Sequence, residues 1–396
     1  MKNLFLFVLP GVLLVASLPV RAQVTGPILP SQIDRSVVRP GARALGLGGT
    51  TLFGSGLSAA AYNPAAIASG RGFGSTVELV GRTNNLDVGD ITDIFNGVDD
   101  LNDAAKNGSG NGINFPLDSF NNLFSIALRR NNSPIRVSAT PSLGFSLGRA
   151  GKDGLSAGVL GWGEAIGDVR TFASNATGTR TLNAGAGLLS LSNVGIPVAF
   201  HSTKGADIGT FGANFKFIRA DYQAASFLAD EATLSVNGTT FDRVNSSKLG
   251  LDLGYISPSL VKNQPYDVRG AVSLRNVLSP RFNLQTQGTD SAGNVVALDA
   301  SFKQQAQLDA GFSFGSTLAK TSAYAELHNI TSKNGGKRTT HLGVEYVPVR
   351  SFAVRLGLEQ SKVTAGVGLR LGGALLDVAV GQKPKERFAL GLSFAR

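Results

Sequence analysis

A hydrophobic residue at every second position, sustained over strand after strand, constrains this chain more than any other feature. In "KVTAGVGLRLG", Val363, Ala365, Val367, Leu369 and Leu371 fall on one face, and Lys362, Thr364, Gly366, Gly368 and Arg370 on the other. "SFAVRLGLE" repeats the pattern with Phe352, Val354, Leu356 and Leu358, and "ERFALGLSFAR" with Phe388, Leu390, Leu392 and Phe394. Upstream, "TFGANFKF" and "SKLGLDLGY" set Phe211, Phe215, Phe217, Leu249, Leu251 and Leu253 against Gly212, Asn214, Lys216, Lys248, Gly250 and Asp252. A helix cannot sort these residues onto two faces; a strand does so automatically. Turn clusters such as Lys333-Asn334-Gly335-Gly336 and Gln382-Lys383-Pro384-Lys385 punctuate the runs.

The non-hydrophobic face separates a soluble sandwich from a membrane barrel. A water-facing sheet carries long solvating side chains, whereas this face mixes Gly, Ala and Ser with single charges, as the crowded inside of a barrel does. Fifty glycines, 23 phenylalanines and only 16% charged residues fit the same reading. Strands of about nine to eleven residues match one tilted bilayer crossing.

The N-terminus predicts export. Met1-Lys2-Asn3 is a short basic start, Leu4 to Ala16 an apolar run too short to span a bilayer, and Val20-Arg21-Ala22 a signal-peptidase pattern. Residues 1–22 are thus expected to be a cleaved signal peptide, and no later run of about 20 apolar residues offers a membrane helix. With no cysteine there is no disulfide, thiolate nucleophile or Cys-ligated metal. The net charge of +10 is scattered rather than clustered, which argues against nucleic acid as a partner.

No catalytic constellation emerges. His201, His328 and His341 lack metal-ligand spacing, no G-x-S-x-G elbow is present, and "ALGLGGTT" lacks the lysine of a phosphate loop. No enzyme activity, metal or cofactor is expected. Projecting the alternation inward collects Lys216, Lys248, Asp252, Arg269, Arg275, Asp309, Glu326, Glu345, Arg355, Arg370 and Asp377 as a lumen charge network, either structural or lining a solute path. Between Asn84 and about Phe120 the strand rhythm breaks. Ile91, Ile94, Phe95, Val98 and Leu101 recur at helical spacing, predicting a short amphipathic helix in a long loop that either packs on the rim or meets an apolar ligand. Residues 221–244 and 284–303 read as further loops or hairpins projecting from the barrel.

The segment "GARALGLGGTTLFGSGLSAAAYNPAAIA" is rich in Gly and Ala and closes on Tyr62-Asn63-Pro64-Ala65. Asn63 is placed to cap a short helix that Pro64 starts. This stretch resembles the N-terminal plug of the long-chain fatty-acid transporter (FadL-like) superfamily of outer-membrane barrels. The tail "HLGVEYVPVRSFAVRLGLEQSKVTAGVGLRLGGALLDVAV" looks more like its PorV-like and TraF-like relatives.

The resemblance implies an all-β fold, a transmembrane antiparallel β-barrel of about 14 strands with an N-terminal plug in its lumen. The expected organisation is a plug segment at 23–72 and a barrel at 73–396, with Gly41, Gly46, Gly48, Gly49, Tyr62, Asn63, Pro64 and Ala65 forming the plug motif. It further implies an outer-membrane location in a Gram-negative-type bacterium and contact with membrane lipid. The implied function is passage of small hydrophobic, fatty-acid-like compounds gated by the plug. The alternative is an accessory or interaction component of a secretion or transfer machinery. The acidic residues usual before Asn-Pro-Ala are replaced by Gly54-Ser55-Gly56-Leu57-Ser58, so no ligand residue carries over.

Overall fold

A computed structural model describes residues 41–54, 57–69, 72–83, 100, 117–129, 135–148, 154–176, 179–202, 208–231, 235–261, 265–289, 294–331, 338–381 and 387–395. The signal-peptide expectation, residues 23–40 of the expected plug segment, and Ile91, Ile94, Phe95, Val98 and Leu101 lie outside the described residues.

The alternating stretches are strands. In chain order they are β1 (Gly72–Thr83), β2 (Ile135–Gly148), β3 (Gly154–Ala176), β4 (Thr179–Ser202), β5 (Gly209–Asp230), β6 (Ser235–Phe241) and β7 (Val244–Ile256). There follow β8 (Tyr266–Arg275), β9 (Arg281–Phe282), β10 (Gln285–Thr289), β11 (Val295–Asp299), β12 (Phe302–Lys303), β13 (Gln307–Ser316) and β14 (Thr321–His328). The last are β15 (Thr339–Val349), β16 (Phe352–Glu359), β17 (Lys362–Leu371), β18 (Ala374–Gly381) and β19 (Arg387–Ala395). Fourteen of them, all but β6 and β9 to β12, pair antiparallel with both neighbours, and β19 returns to β1 with Val77 opposite Leu392. These fourteen close into a ring without a free edge, while β11, beyond it, pairs with β10 alone.

The alternation becomes a difference in burial. Phe215 and Phe217 are 60% and 50% exposed, while Ile218 between neighbouring strands is fully buried. Phe145, Leu249, Phe312, Leu356, Val367 and Leu390 are likewise exposed on the outside. This outer band is apolar because lipid, rather than a second layer of protein, covers it.

The wall is uneven in height. From β13 to β19 the strands run 8 to 11 residues, one bilayer crossing, whereas β3, β4 and β5 run 23, 24 and 22. The extra length rises at the end opposite β1's start, where the connections 84–134, 231–243 and 276–306 also lie. Within 221–244, expected as a loop or hairpin, Asp221–Asp230 continues β5, and its end pairs with β6 as a hairpin. A helix, Leu117–Arg129, lies against this extension with Phe120, Leu123, Phe124 and Ile126 buried; the sequence reading had ended the loop at Phe120 and missed it. Arg180, bidentate to Glu231, stacks its guanidinium over the Phe120 and Phe124 rings at 5.7 and 5.5 Å.

Candidate functional site

Residues 41–69 form three short turns of helix: α1 (Ala42–Gly46), α2 (Leu57–Ala60) and a 3₁₀ turn (Pro64–Ser69). They meet the buried face of strands on opposite sides of the ring, β15 to β18 at one side and β4 to β8 at the other. Asn63 caps as its sequence predicts: its Oδ1 accepts the Ala65 amide at 3.2 Å, and its Nδ2 donates to the Leu52 carbonyl at 3.0 Å.

Close approach of backbone to wall explains the glycines. Gly48 has φ +72°, and a Cβ on Gly357 of β16 would run into the Gly48 nitrogen and the Leu47 carbonyl carbon. Opposite, Cβ atoms on Gly212 and Gly254 would strike Pro64-Ala65 and Asn63. Gly46 lies against Gly366, and Gly49 (φ +82°) against His341; Gly41 (φ +117°) precedes α1. Tyr62 is buried under the Arg275 guanidinium at 5.2 Å, and its carbonyl accepts from Ser273 Oγ.

The predicted lumen charges form a belt around one half of the ring. Arg43 Nη2 reaches Glu345 Oε2 at 2.7 Å; Glu345 Oε1 accepts from Arg355 Nε at 2.7 Å, and Arg355 Nη1 donates to Asp377 Oδ1 at 2.5 Å. Lys216 pairs with Asp252 at 2.7 Å and Arg275 with Asp309 at 3.0 Å. Glu326 accepts the Thr51 amide at 2.8 Å, the Leu52 amide at 3.0 Å and His328 Nε2 at 2.7 Å. The His341 Nδ1–H donates to the Gly48 carbonyl at 2.6 Å, since a carbonyl only accepts.

Three of the eleven expected network members stand apart. Lys248, Arg269 and Arg370 keep the inward register but are exposed, and Arg269 pairs with Asp267 two residues along its own strand at 2.9 Å. Alternation selects a face and says nothing of depth, so exposed charges in the inward register joined the set. Arg43, His328, His341, Tyr324 and Thr364 belong to the belt although the sequence reading did not place them there. His328, two residues from Glu326 on β14, and His341, opposite Glu326 on β15, carried a signal; Arg43, in a stretch without periodicity, did not.

An apolar patch covers part of the remaining lumen, beside the buried Glu78 of β1 and Asn193 of β4. Ile166, Leu189, Leu191, Ile218, Ala220 and Tyr222 pave the inner face of β3, β4 and β5 above the belt. Residues 284–303, expected as a loop or hairpin, form the β10–β11 hairpin, and Leu284, Ala300 and Phe302 pack onto this face with Phe282. Lower down, Trp162, the only tryptophan, packs with Leu160, Tyr62 and Ile67. Beside it the ladder is interrupted. Ala139 faces Ala165 and Ser142 faces Trp162, but Thr140 and Pro141 have no ladder partners in β3. The register is the same above and below, so there is no bulge; Pro141, lacking an N–H, removes a donor at that point.

No protein-family model and no curated protein matches the sequence. Solved structures do resemble the fold. A TodX monoaromatic hydrocarbon channel carrying a deltaS2S3 mutation superposes with a TM-score of 0.54 at 13% identity, over 90% of this chain and 98% of that one. The Pseudomonas putida toluene transporter TodX gives 0.53 at 12% identity, over 89% and 97%. A closed ring of 14 antiparallel strands with this neighbourhood has the fold of the FadL-like outer-membrane barrels.

Proposed function

We propose that the chain is an outer-membrane channel for small hydrophobic compounds, with residues 41–69 as the plug that gates it. The observation that carries this reading is the division of the lumen. Its buried ion pairs lie on the β5-to-β18 side, while an apolar face runs along β3 to β5 toward Thr140-Pro141. An apolar solute gains about 25 cal/mol per Å² of surface taken from water, so it follows the apolar side and leaves between β2 and β3 into the bilayer. TodX, whose described cargo is toluene and monoaromatic hydrocarbon, lends support to small neutral aromatic compounds as the substrate class.

The test uses the absence of native cysteine. Cysteines introduced at Thr140 and Glu164 would lock the opening by a disulfide. Uptake of labelled toluene or a medium-chain fatty acid by cells expressing the oxidised pair should fall to background and return on reduction. Undiminished uptake with a formed disulfide refutes the exit path. A second reading, an accessory barrel of a secretion or transfer system, is favoured by the tail from His341 to Val380 and predicts a stable protein complex without solute uptake.

A further inference from the structure

The outer wall carries a feature that solute passage does not use. On β4, β5 and β7, Val194, Phe217 and Leu249 stand in register and exposed, the last apolar row toward the end with the long connections. The next outward row is Ser192, Arg219 and Ser247, and the one beyond it Ser190, Asp221 and Asn245. The apolar band therefore stops within one step, at the level where bilayer gives way to headgroups.

A bulge sits at this level. Ala225 faces Thr240 and Tyr222 faces Val244, so residues 241–243 stand against only 223 and 224. Bulges at barrel rims re-aim side chains, and this one brings Arg243 beside Arg219. Asp221 Oδ2 accepts Arg219 Nε at 3.1 Å, and its Oδ1 accepts Arg219 Nη2 at 3.2 Å and Arg243 Nη2 at 3.1 Å. Two cations share one carboxylate. The carboxylate side chain is 9% exposed, and the guanidinium side chains are 49% and 59% exposed.

We propose that Arg219 and Arg243 hold the phosphate of an outer-leaflet lipid headgroup, with its acyl chains along Phe217 and Leu249. Asp221 orients both guanidinium groups before the ligand arrives, which lowers the ordering cost of binding. The remaining N–H donors of two planar forks match the oxygens of one phosphate, and the surplus positive charge matches its sign. The apolar row below provides what a free anion would not use. The inference rests on the outer-membrane reading but not on passage of any solute.

Detergent-solubilised protein would be titrated with diphosphorylated lipid A, with the same glycolipid dephosphorylated, and with inorganic phosphate, and bound lipid read by native mass spectrometry. The phosphorylated lipid should bind, the dephosphorylated one should bind about 30-fold more weakly, and the Arg219→Gln/Arg243→Gln variant should lose the difference. Arg219→Lys/Arg243→Lys keeps the charge without the forks and should retain part of it. Equal binding of the two glycolipids by the parent protein overturns the proposal. Competition by millimolar inorganic phosphate with no preference for lipid reduces the site to an adventitious anion site and also overturns it. The parent comparison decides even where a variant fails to fold, and lipid binding without toluene uptake separates this proposal from the channel reading.

Discussion

Replacing Gly357 with alanine should unseat residues 41–52 while leaving the barrel closed. The wall loses nothing, because alanine suits a strand at least as well as glycine. The added Cβ meets the Gly48 nitrogen and the Leu47 carbonyl carbon, both backbone, so no side chain can rotate away. Overpacking of this kind costs about 1–3 kcal/mol. Displacing Gly48 also lengthens its amide bond to Thr364 Oγ1 (2.9 Å) and the His341 bond to its carbonyl (2.6 Å), each worth about 1 kcal/mol. The sum, about 3–5 kcal/mol, shifts the balance between seated and released segment by about two to three and a half decades. The lone Trp162 reports the change, since it packs against Tyr62 and Ile67 of the segment. Its emission should move to longer wavelength, and a cysteine placed at the buried Thr50 should be labelled by a water-soluble maleimide far faster than in the parent. Gly161→Ala, whose Cβ would meet only ordinary contacts at 3.7 Å or more, is the control. Unchanged emission and labelling in Gly357→Ala, with the heat-modifiable mobility of a closed barrel, would refute the claim that glycine is there to admit the segment.

Other outcomes follow from the belt and the extension. Glu326→Ala leaves the Thr51 and Leu52 amides without their acceptor and should cost the seating of the segment about 2–6 kcal/mol, read by the same Thr50 label. Arg355→Ala strands the buried Asp377 carboxylate and leaves Glu345 to Arg43 alone, and should destabilise the barrel by about 3–5 kcal/mol in urea unfolding from micelles; Asp377→Asn should cost less. Glu231, hydrogen-bonded by Arg180, has its carboxyl held below the usual range. A depressed folded-state value stabilises above the unfolded value and is lost as pH falls through the folded one. Proteolysis within 117–129 should therefore accelerate in acid below the ordinary glutamate range, and Glu231→Gln should remove that pH dependence.

The strands were legible because the period of two is local: each residue's face follows from its neighbours, as Phe215 and Lys216 show. Closure into a ring of 14 rested on resemblance, since no local pattern says that β19 returns to β1. The charge belt was legible as far as facing goes, so Lys216, Asp252, Arg275 and Arg355 were found. Depth is a property of the whole wall, hence the error at Lys248, Arg269 and Arg370. Helix 117–129 was missed although Leu117, Phe120, Phe124 and Leu128 recur at helical spacing, because its partners are the overlong β3 and β4, whose length no turn signal announces. The glycine density of residues 41–49 was legible; that Gly46, Gly48 and Gly49 each answer a particular wall atom required the three-dimensional partner.

The seat of the N-terminal segment is built largely from the last strands of the chain. Thr364, Glu345, Gly357 and Arg355 meet residues 43–48, with Gly48 and Thr364 separated by 316 positions. Contacts so distant in sequence form late, because a long loop must close before they return any energy. The segment is made first and finds its place last. Until β15 to β18 are inserted it has no carboxylate for Arg43 and no acceptor for the Gly48 amide. Assembly order thus makes a seated N-terminal segment a signature of completion: only a molecule whose final hairpins are in place offers it both.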